Sequence, residues 1–388
     1  MNLALKEIYI KELLANRITV SGFHALRSVI NETDLSLIIQ KIYDLNDEQI
    51  RKIAALAPVM AKVDSLKNAQ RNSKFLKKVR NGFRKDKNNK VILVEGDSWF
   101  NYPILLTDVI DWISMDKNLA VYSLASGGDW LLNMLSARKY IEQLSTINPD
   151  VFIISGGGND LVGNNRIAAM LDASGNSSEF FNCDWALRLM EKTDSEIDSE
   201  RFSAGMRFIS KDFFALLMFF HLQYYHIFNG ILTAGTGNPK NSKFPGIKII
   251  TQGYDYAEPS RNRGFGFNPL RWYKPFARKF LGHGSWLKTP MDIRGISDTE
   301  NQRDVVYAMI YLFNEMMIET GDVFEKIAGY KCVFHIDSRG TVGKNGWTDE
   351  LHPLPENFKK TAQAFIHCIK DNNPAQLVYQ ALPKAKKI

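Results

Sequence analysis

Five short apolar runs, Val91–Val94, Leu119–Leu124, Val151–Ser155, Ile247–Thr251 and Lys331–Ile336, constrain this chain more than any other feature. Between most of them lie stretches with apolar residues at helical spacing, such as "ILLTDVIDWISM" and "WLLNMLSARKYIEQL". A continuous apolar run suits a strand buried on both faces, and strands that alternate with helices join into a parallel sheet. The expected fold class is therefore α/β, with a doubly wound, five-stranded parallel sheet. Right-handed crossovers place the carboxyl ends of such strands on one rim, where open sheets bind ligands.

Two spacings, 156–246 and 252–330, are too long for simple crossovers, so insertions are expected at about 161–245 and 257–300. The first holds "DFFALLMFFHLQYYHIF", in which 13 of 17 residues are apolar or aromatic. Its uninterrupted apolar run, Phe213 to Phe220, is far shorter than a membrane span. It reads as a buried helix, with a hydrophobic lid as the alternative. The second insertion holds "RNRGFGFNPLRWYKPFARKFLGHGSW", a long loop over the rim.

Ahead of the first strand, residues 1–66 read as a helical region, with helical spacing in "LALKEIYIKELL" and "DLSLIIQKIYDL". A third helix is expected from Asn46, which forms a capping box with Gln49, and Pro58 interrupts it. Residues 67–90 carry ten Lys/Arg against one Asp, so this stretch alone holds more than the chain's whole net charge of +7. It reads as a basic linker or solvated face, with contact to an anionic membrane surface as the functional alternative. Nucleic acid is not favoured, because the stretch has only Phe75 and Phe83 as aromatics and no known motif. Residues 376–388 read as a tail.

No segment approaches the roughly 20 apolar residues of a membrane span, and the first residues lack a signal-peptide pattern, so a cytoplasmic location is expected. Cys183, Cys332 and Cys368 are far apart and odd in number, which excludes a disulfide framework and reads as core packing. His221 and His226, five apart, do not match a helical zinc pair. No metal or other cofactor is expected.

Four polar motifs follow the strand ends: Gly96-Asp97-Ser98 after the first, "SGGDW" after the second, "GGGNDL" after the third and "WTDELHP" after the fifth. One such placement is easily fortuitous; four are not. A serine hydroxyl becomes a nucleophile when a neutral imidazole takes its proton and a carboxylate orients that imidazole. Ser98, His352 and Asp349 fill these roles, the last two lying on one face of a tight helical turn if the local chain is helical. Backbone N–H groups of Ser98 and Gly128, with the Asn159 side chain, are candidate oxyanion donors.

These blocks, Gly96-Asp97-Ser98, Gly128, Gly157 with Asn159-Asp160, and Asp349-x-x-His352-Pro353, resemble in the same order those of the SGNH/GDSL hydrolase superfamily. The resemblance spans about residues 91–370 in motif order and implies a flavodoxin-like, three-layer α/β/α fold, with the hydrolase domain over 91–375. It further implies metal-independent ester hydrolysis with Ser98 as nucleophile, His352 as base and Asp349 as its partner. That family includes acetylesterases, lipases, lysophospholipases and thioesterases, so the substrate is not inherited. The motif departs from the family where Trp99 stands in place of the usual Leu. It is not the G-x-S-x-G elbow of α/β-hydrolases, since Phe100 occupies the last position.

The expected substrate is a small-molecule or lipid-like acyl ester, with a carbohydrate acetyl ester as the alternative. Trp99, Phe100 and Tyr102 are expected as pocket walls, and Tyr254 and Asp255 as substrate-binding residues at the fourth strand end. Asp97, Asp160, His335 and Asp337 are expected to anchor loops. The competing function is a scaffold whose region 1–66 engages a protein partner while the hydrolase domain is inactive or switched on by the assembly.

Overall fold

The computed structural model describes residues 3–15, 17–31, 33–34, 37–38, 41, 67–102, 107–176, 184–191, 198–233, 238, 241–259 and 286–382. The helix expected from Asn46, Pro58, Cys183 and the loop 260–285 lie outside them.

The strands are β1 (Lys90–Gly96), β2 (Leu119–Ser123), β3 (Val151–Ser155), β4 (Lys248–Gln252), β5 (Val333–Asp337) and β6 (Val378–Gln380). They form one sheet in the order 2-1-3-4-5-6, with every pair parallel. The first five follow the flavodoxin-like order, whose direction reverses between β1 and β3 and opens a crevice beyond their carboxyl ends. Every residue of β3 and β5 is buried, as expected for strands covered on both faces.

Among the described residues the sheet has six strands, where the sequence suggested five. The extra strand lies in the stretch read as a tail, where His335 of β5 pairs with Val378. Only Tyr379 of its three residues is buried, too little pattern for periodicity to register.

The helices are α1 (Leu3–Leu14), α2 (Val20–Arg27), α3 (67–80), α4 (Val109–Ser114), α5 (Leu131–Ala137), α6 (Lys139–Ile147), α7 (Gly158–Val162), α8 (Asp184–Glu191), α9 (Ser199–Met206), α10 (Lys211–Leu232), α11 (Lys288–Ile293), α12 (Thr299–Ala328) and α13 (Pro355–Lys370). Their ends follow local chemistry. Asp108 closes a capping box with Asp111 at α4, Asp298 caps α12, Gly329 ends it at φ 77°, and Pro355 opens α13. α4 packs with α13, while α10 packs with α5 and α12. α9 lies so close along α12 that a Cβ on Gly205 would sit 2.0 Å from the Asp304 carbonyl oxygen.

The aromatic run of the first insertion is buried as α10, with Phe213 to Phe220 shielded throughout. α1 and α2 pack on it: Phe23 meets Trp185 and His221 with ring centroids 5.3 and 5.1 Å apart. His221 also bonds Arg27 of α2 and Thr320 of α12.

The basic stretch expected as a linker is largely a helix, and its charges are divided. Lys67 and Arg71 pair with Asp108 and Asp111, while Arg71 also donates to the Phe100 carbonyl oxygen at 2.9 Å. Lys78 donates to the carbonyls of Asp116 and Leu119, and Arg84 to those of Ile147 and Asn148. Lys74, Lys77, Arg80, Lys85 and Lys87 face solvent. The stretch thus runs from the carboxyl end of β1, where Arg71 is bound, toward the amino ends of β2 and β3, where Lys78 and Arg84 are bound. Among the described residues no helix is long and apolar enough to cross a membrane.

Candidate active site

β1 delivers Ser98 on a tight turn, in which Asp97 accepts from the N–H groups of Phe100 and Asn101 through its carbonyl, and from Trp99 N–H through its carboxylate. Gly96 permits the turn: a Cβ there would sit 2.6 Å from the Phe100 ring and 3.0 Å from the Ser155 carbonyl oxygen. The loop after β5 brings up the other two groups. Asp349 Oδ1 accepts from Leu351 and His352 N–H, each at 2.8 Å, and a bridge between Trp347 and Pro353 closes the loop. This is a bend closed by the aspartate side chain rather than the helical turn expected, but it has the same effect of setting Asp349 against His352.

His352 Nδ1 stands 2.9 Å from both Asp349 oxygens, and its Nε2 is 2.7 Å from Ser98 Oγ. Asp349 accepts only, so Nδ1–H donates to it and Nε2 accepts from the serine hydroxyl. Burial opposes ionisation of Asp349, but the His352 charge, the hydrogen bond from His352 and the two backbone N–H groups outweigh it. Together they hold this carboxyl below its usual range.

Of the donors expected for an oxyanion, Ser98 and Asn159 line one cleft with His352, and Gly128 is not among its lining residues. Among the described residues, no acceptor engages the N–H of Ser98 or of Gly128. Asn159 Nδ2 donates one hydrogen to the Asp129 carbonyl at 3.0 Å, which fixes the amide and leaves its second hydrogen for a ligand. Gly157, at φ 103°, turns the chain from β3 into α7, a conformation other residues adopt only with strain.

Ser98, His352, Asn159, Gly157 and Gly158 open into a cleft of about 740 Å³, mouth included, whose remaining lining is mostly apolar. Trp99 and Tyr254 line it as expected, and Phe213 and Phe220 of α10 and Val306, Met309, Ile310 and Phe313 of α12 add an apolar wall beside Leu161, Val162 and Ile167. These residues were not singled out as site residues. Their signal was present as stripes, seven apart on α10 and at 306, 309, 310 and 313 on α12, the spacing of one helix face.

Other expected site residues play different parts. Tyr102 does not line the cleft. Its hydroxyl donates to Asp349 Oδ2 at 3.0 Å behind the triad, and its ring lies 4.4 Å from that of His352. Phe100 turns away and meets Phe365. Asp255 reaches the cleft edge, but its carboxylate accepts from the N–H groups of Tyr256, Gly340 and Val342 and so closes loops. Burial pushes its carboxyl up to about 7.

The Tyr254 hydroxyl donates to Asp97 and accepts from Gly158 N–H, tying the β1, β3 and β4 ends together. Burial raises Asp97 to about 6 and Asp160 to about 7, against the hydrogen bonds that favour their charge. Asp160 accepts from Leu131 N–H, the loop role expected of it. His335 lies within the sheet, bonded to Thr251 and Asn314, and burial lowers it to about 3. Asp337 pairs with Arg339. Neither competes with His352 or Asp349. Cys332 and Cys368 are buried. Among the described residues no group of three His, Cys, Asp or Glu could hold a metal.

A scan against models of protein families and a search of curated sequences both find no match. Among solved structures the chain is similar to an extracellular lipase from Streptomyces rimosus, at 11% identity over 72% of this chain and 99% of that one, with a TM-score of 0.32. It is also similar to a catalytic mutant of Axe2, an acetylxylan esterase from Geobacillus stearothermophilus, at 12% identity over 72% of this chain and 94% of that one, with a TM-score of 0.31.

Proposed function

We propose that this protein is a serine-dependent hydrolase of carboxylic esters, of the SGNH/GDSL kind, that works through an acyl-enzyme. The observation that carries the reading is the unbroken relay from Ser98 Oγ to His352 Nε2 and from His352 Nδ1 to Asp349.

In the reaction so read, Ser98 Oγ attacks the ester carbonyl as His352 Nε2 takes its proton. Asp349 keeps the imidazole in the productive tautomer and stabilises the imidazolium. Negative charge on the former carbonyl oxygen is met by the N–H groups of Ser98 and Gly128 and the free hydrogen of Asn159 Nδ2. Collapse expels the alcohol, which receives the proton from His352. Water, activated by the same imidazole, then releases the acid from Ser98.

An apolar cleft at the nucleophile favours an acyl chain over an acetyl group on a sugar, because burying each methylene contributes about 0.8 kcal/mol. An anionic surface met by the exposed cations of α3 would lie away from the cleft, so the substrate reading does not lean on it.

The test is hydrolysis of p-nitrophenyl esters from acetate to long acyl chains by the protein and by Ser98→Ala. The reading expects activity that rises beyond acetate and vanishes with Ser98. Equal rates in the two proteins would overturn the nucleophile assignment. A sharp preference for acetate would return weight to the carbohydrate ester.

A further inference from the structure

We infer that Tyr102 is a positioning residue for the triad, and that the buried charge cluster between α3 and α4 exists to hold it there. The inference rests on the hydrolase reading above and adds to it the residue that governs the Asp349 carboxylate.

The geometry runs outward from Asp349. Oδ1 is occupied by the N–H groups of Leu351 and His352, and Oδ2 receives the Tyr102 hydroxyl at 3.0 Å. With His352 Nδ1 at 2.9 Å from both oxygens, the carboxylate has no slack: any rotation breaks one of these bonds. The phenol is the only one of these donors that comes from the nucleophile turn. It therefore links the two halves of the triad, which enter from β1 and β5 and share no covalent neighbour.

Tyr102 is itself gripped at its backbone. Its N–H donates to Asp108 Oδ2 at 3.1 Å and its carbonyl accepts from Lys67 Nζ at 3.1 Å. Arg71 holds the Phe100 carbonyl two residues earlier and closes on Asp108 and Asp111. A second strut runs parallel: Trp99 Nε1–H donates to the Leu351 carbonyl at 3.1 Å, next to His352. Of these four charges Arg71 and Asp108 are shielded from water and Lys67 and Asp111 are about a fifth exposed, and what the cluster fixes is the stretch from Phe100 to Tyr102 behind the serine and the imidazole.

The phenol also sets the electronic balance. A hydrogen bond to Oδ2 draws charge from the carboxylate, so Asp349 stabilises the imidazolium less than an unencumbered carboxylate would. Another charge acting on the imidazole is Asp97 on the nucleophile turn; Glu350, next to Asp349 in the chain, has its carboxylate taken up by the N–H groups of Leu287 and Lys288. Trp286 faces the ring edge with no charge. None of these moves when the phenol hydroxyl alone is removed.

The experiment compares the full-length protein, Tyr102→Phe and Ser98→Ala in their rate of inactivation by an alkyl fluorophosphonate between pH 5 and 9, with the labelled residue located by mass spectrometry. Tyr102→Phe keeps the ring on His352 and removes one hydroxyl. It is expected to shift the acid limb of the profile upward by about half a pH unit and to slow inactivation about three- to ten-fold near its midpoint. The low-field Nδ1 proton signal of His352 is expected to move in the same variant. Wild-type and Tyr102→Phe profiles that superimpose, with Ser98 labelled in both, would overturn the role of Tyr102 and leave the hydrolase reading standing. Wild type that reacts no faster than Ser98→Ala would overturn both.

Discussion

The rim of this sheet and the wall of its cleft are built in opposite ways. On the rim, each chemical group stands within a few residues of a strand end: Ser98 two residues past β1, Asn159 four past β3, and Asp349 and His352 on the loop after β5. The wall draws on α10 and α12, more than 60 residues apart in the chain. The rim is polar, and several of its groups are buried carboxylates tied to loop amides; the wall is apolar and continuous with the core. On the proposed reading, chemistry is a local property of strand ends, whereas the fit of the substrate is a tertiary property of α10, in the first insertion, and α12, which leads from β4 to β5. The two can be broken separately.

The largest effect is expected at the rim itself. Ser98→Ala removes the proposed nucleophile and should lower kcat/KM by about a thousand-fold or more, while circular dichroism and the thermal midpoint stay close to wild type. A variant that retained a tenth of the activity would show that the relay is not the reacting group.

Next comes the support beneath the rim. Arg71→Met leaves Asp108 and Asp111 with Lys67 alone, in a cluster where Arg71 and Asp108 are almost fully shielded. Removing one partner of such a group should cost about 3 kcal/mol of stability, read by urea unfolding. A loss below about 0.5 kcal/mol would place the cluster with ordinary surface pairs.

Much of this division could be read from the amino-acid order. Strand runs and the residues just after them are contiguous, so periodicity and short motifs reach Ser98, Asn159, Asp349 and His352. The same logic failed wherever a residue's job is decided across the fold. Tyr102 looked like a pocket wall because it follows the nucleophile, yet it points behind the triad to a residue 247 positions away. The basic run looked like a linker because charge dominates it, but its apolar and paired positions, Arg71 and Phe75 among them, form the buried face of a helix. β6 was missed because a three-residue edge strand has almost no pattern of its own.

A smaller effect separates rim from wall by pH. Asp160, held at about 7 in the fold by burial, keeps its proton where the unfolded chain has already lost it. Its folded value is raised, so the stability tied to its proton is present below about pH 4 and is lost as pH climbs toward 7. Asp160→Asn keeps an acceptor for Leu131 N–H and removes the charge. The variant should gain on wild type as pH rises from 4 to 7, by on the order of 1–3 kcal/mol. A gap that stays constant across that range would show that Asp160 is ionised in the fold.

The smallest effect is expected at the wall, and it bears most directly on substrate. Val306 lies on α12 one turn from Met309 and Ile310 and faces the same cleft. Val306 is buried in the core and lines the cleft at the same time, so the ring of Val306→Phe is expected to fill cleft space at some cost in packing, which the thermal midpoint reads separately from activity. If the cleft holds the acyl chain, the added ring takes the room of several methylenes. Long-chain esters should then lose about ten-fold in kcat/KM, since mismatching a hydrophobic pocket by even one methylene shifts discrimination by about 1–3 kcal/mol. Acetate, which needs only the rim, should be cleaved as before. An equal loss on acetate and long chains would mean that the ring disturbs the serine itself, and that wall and rim are not separable. No loss on either would mean that the chain lies elsewhere, and the two helices would then shape the core rather than the substrate.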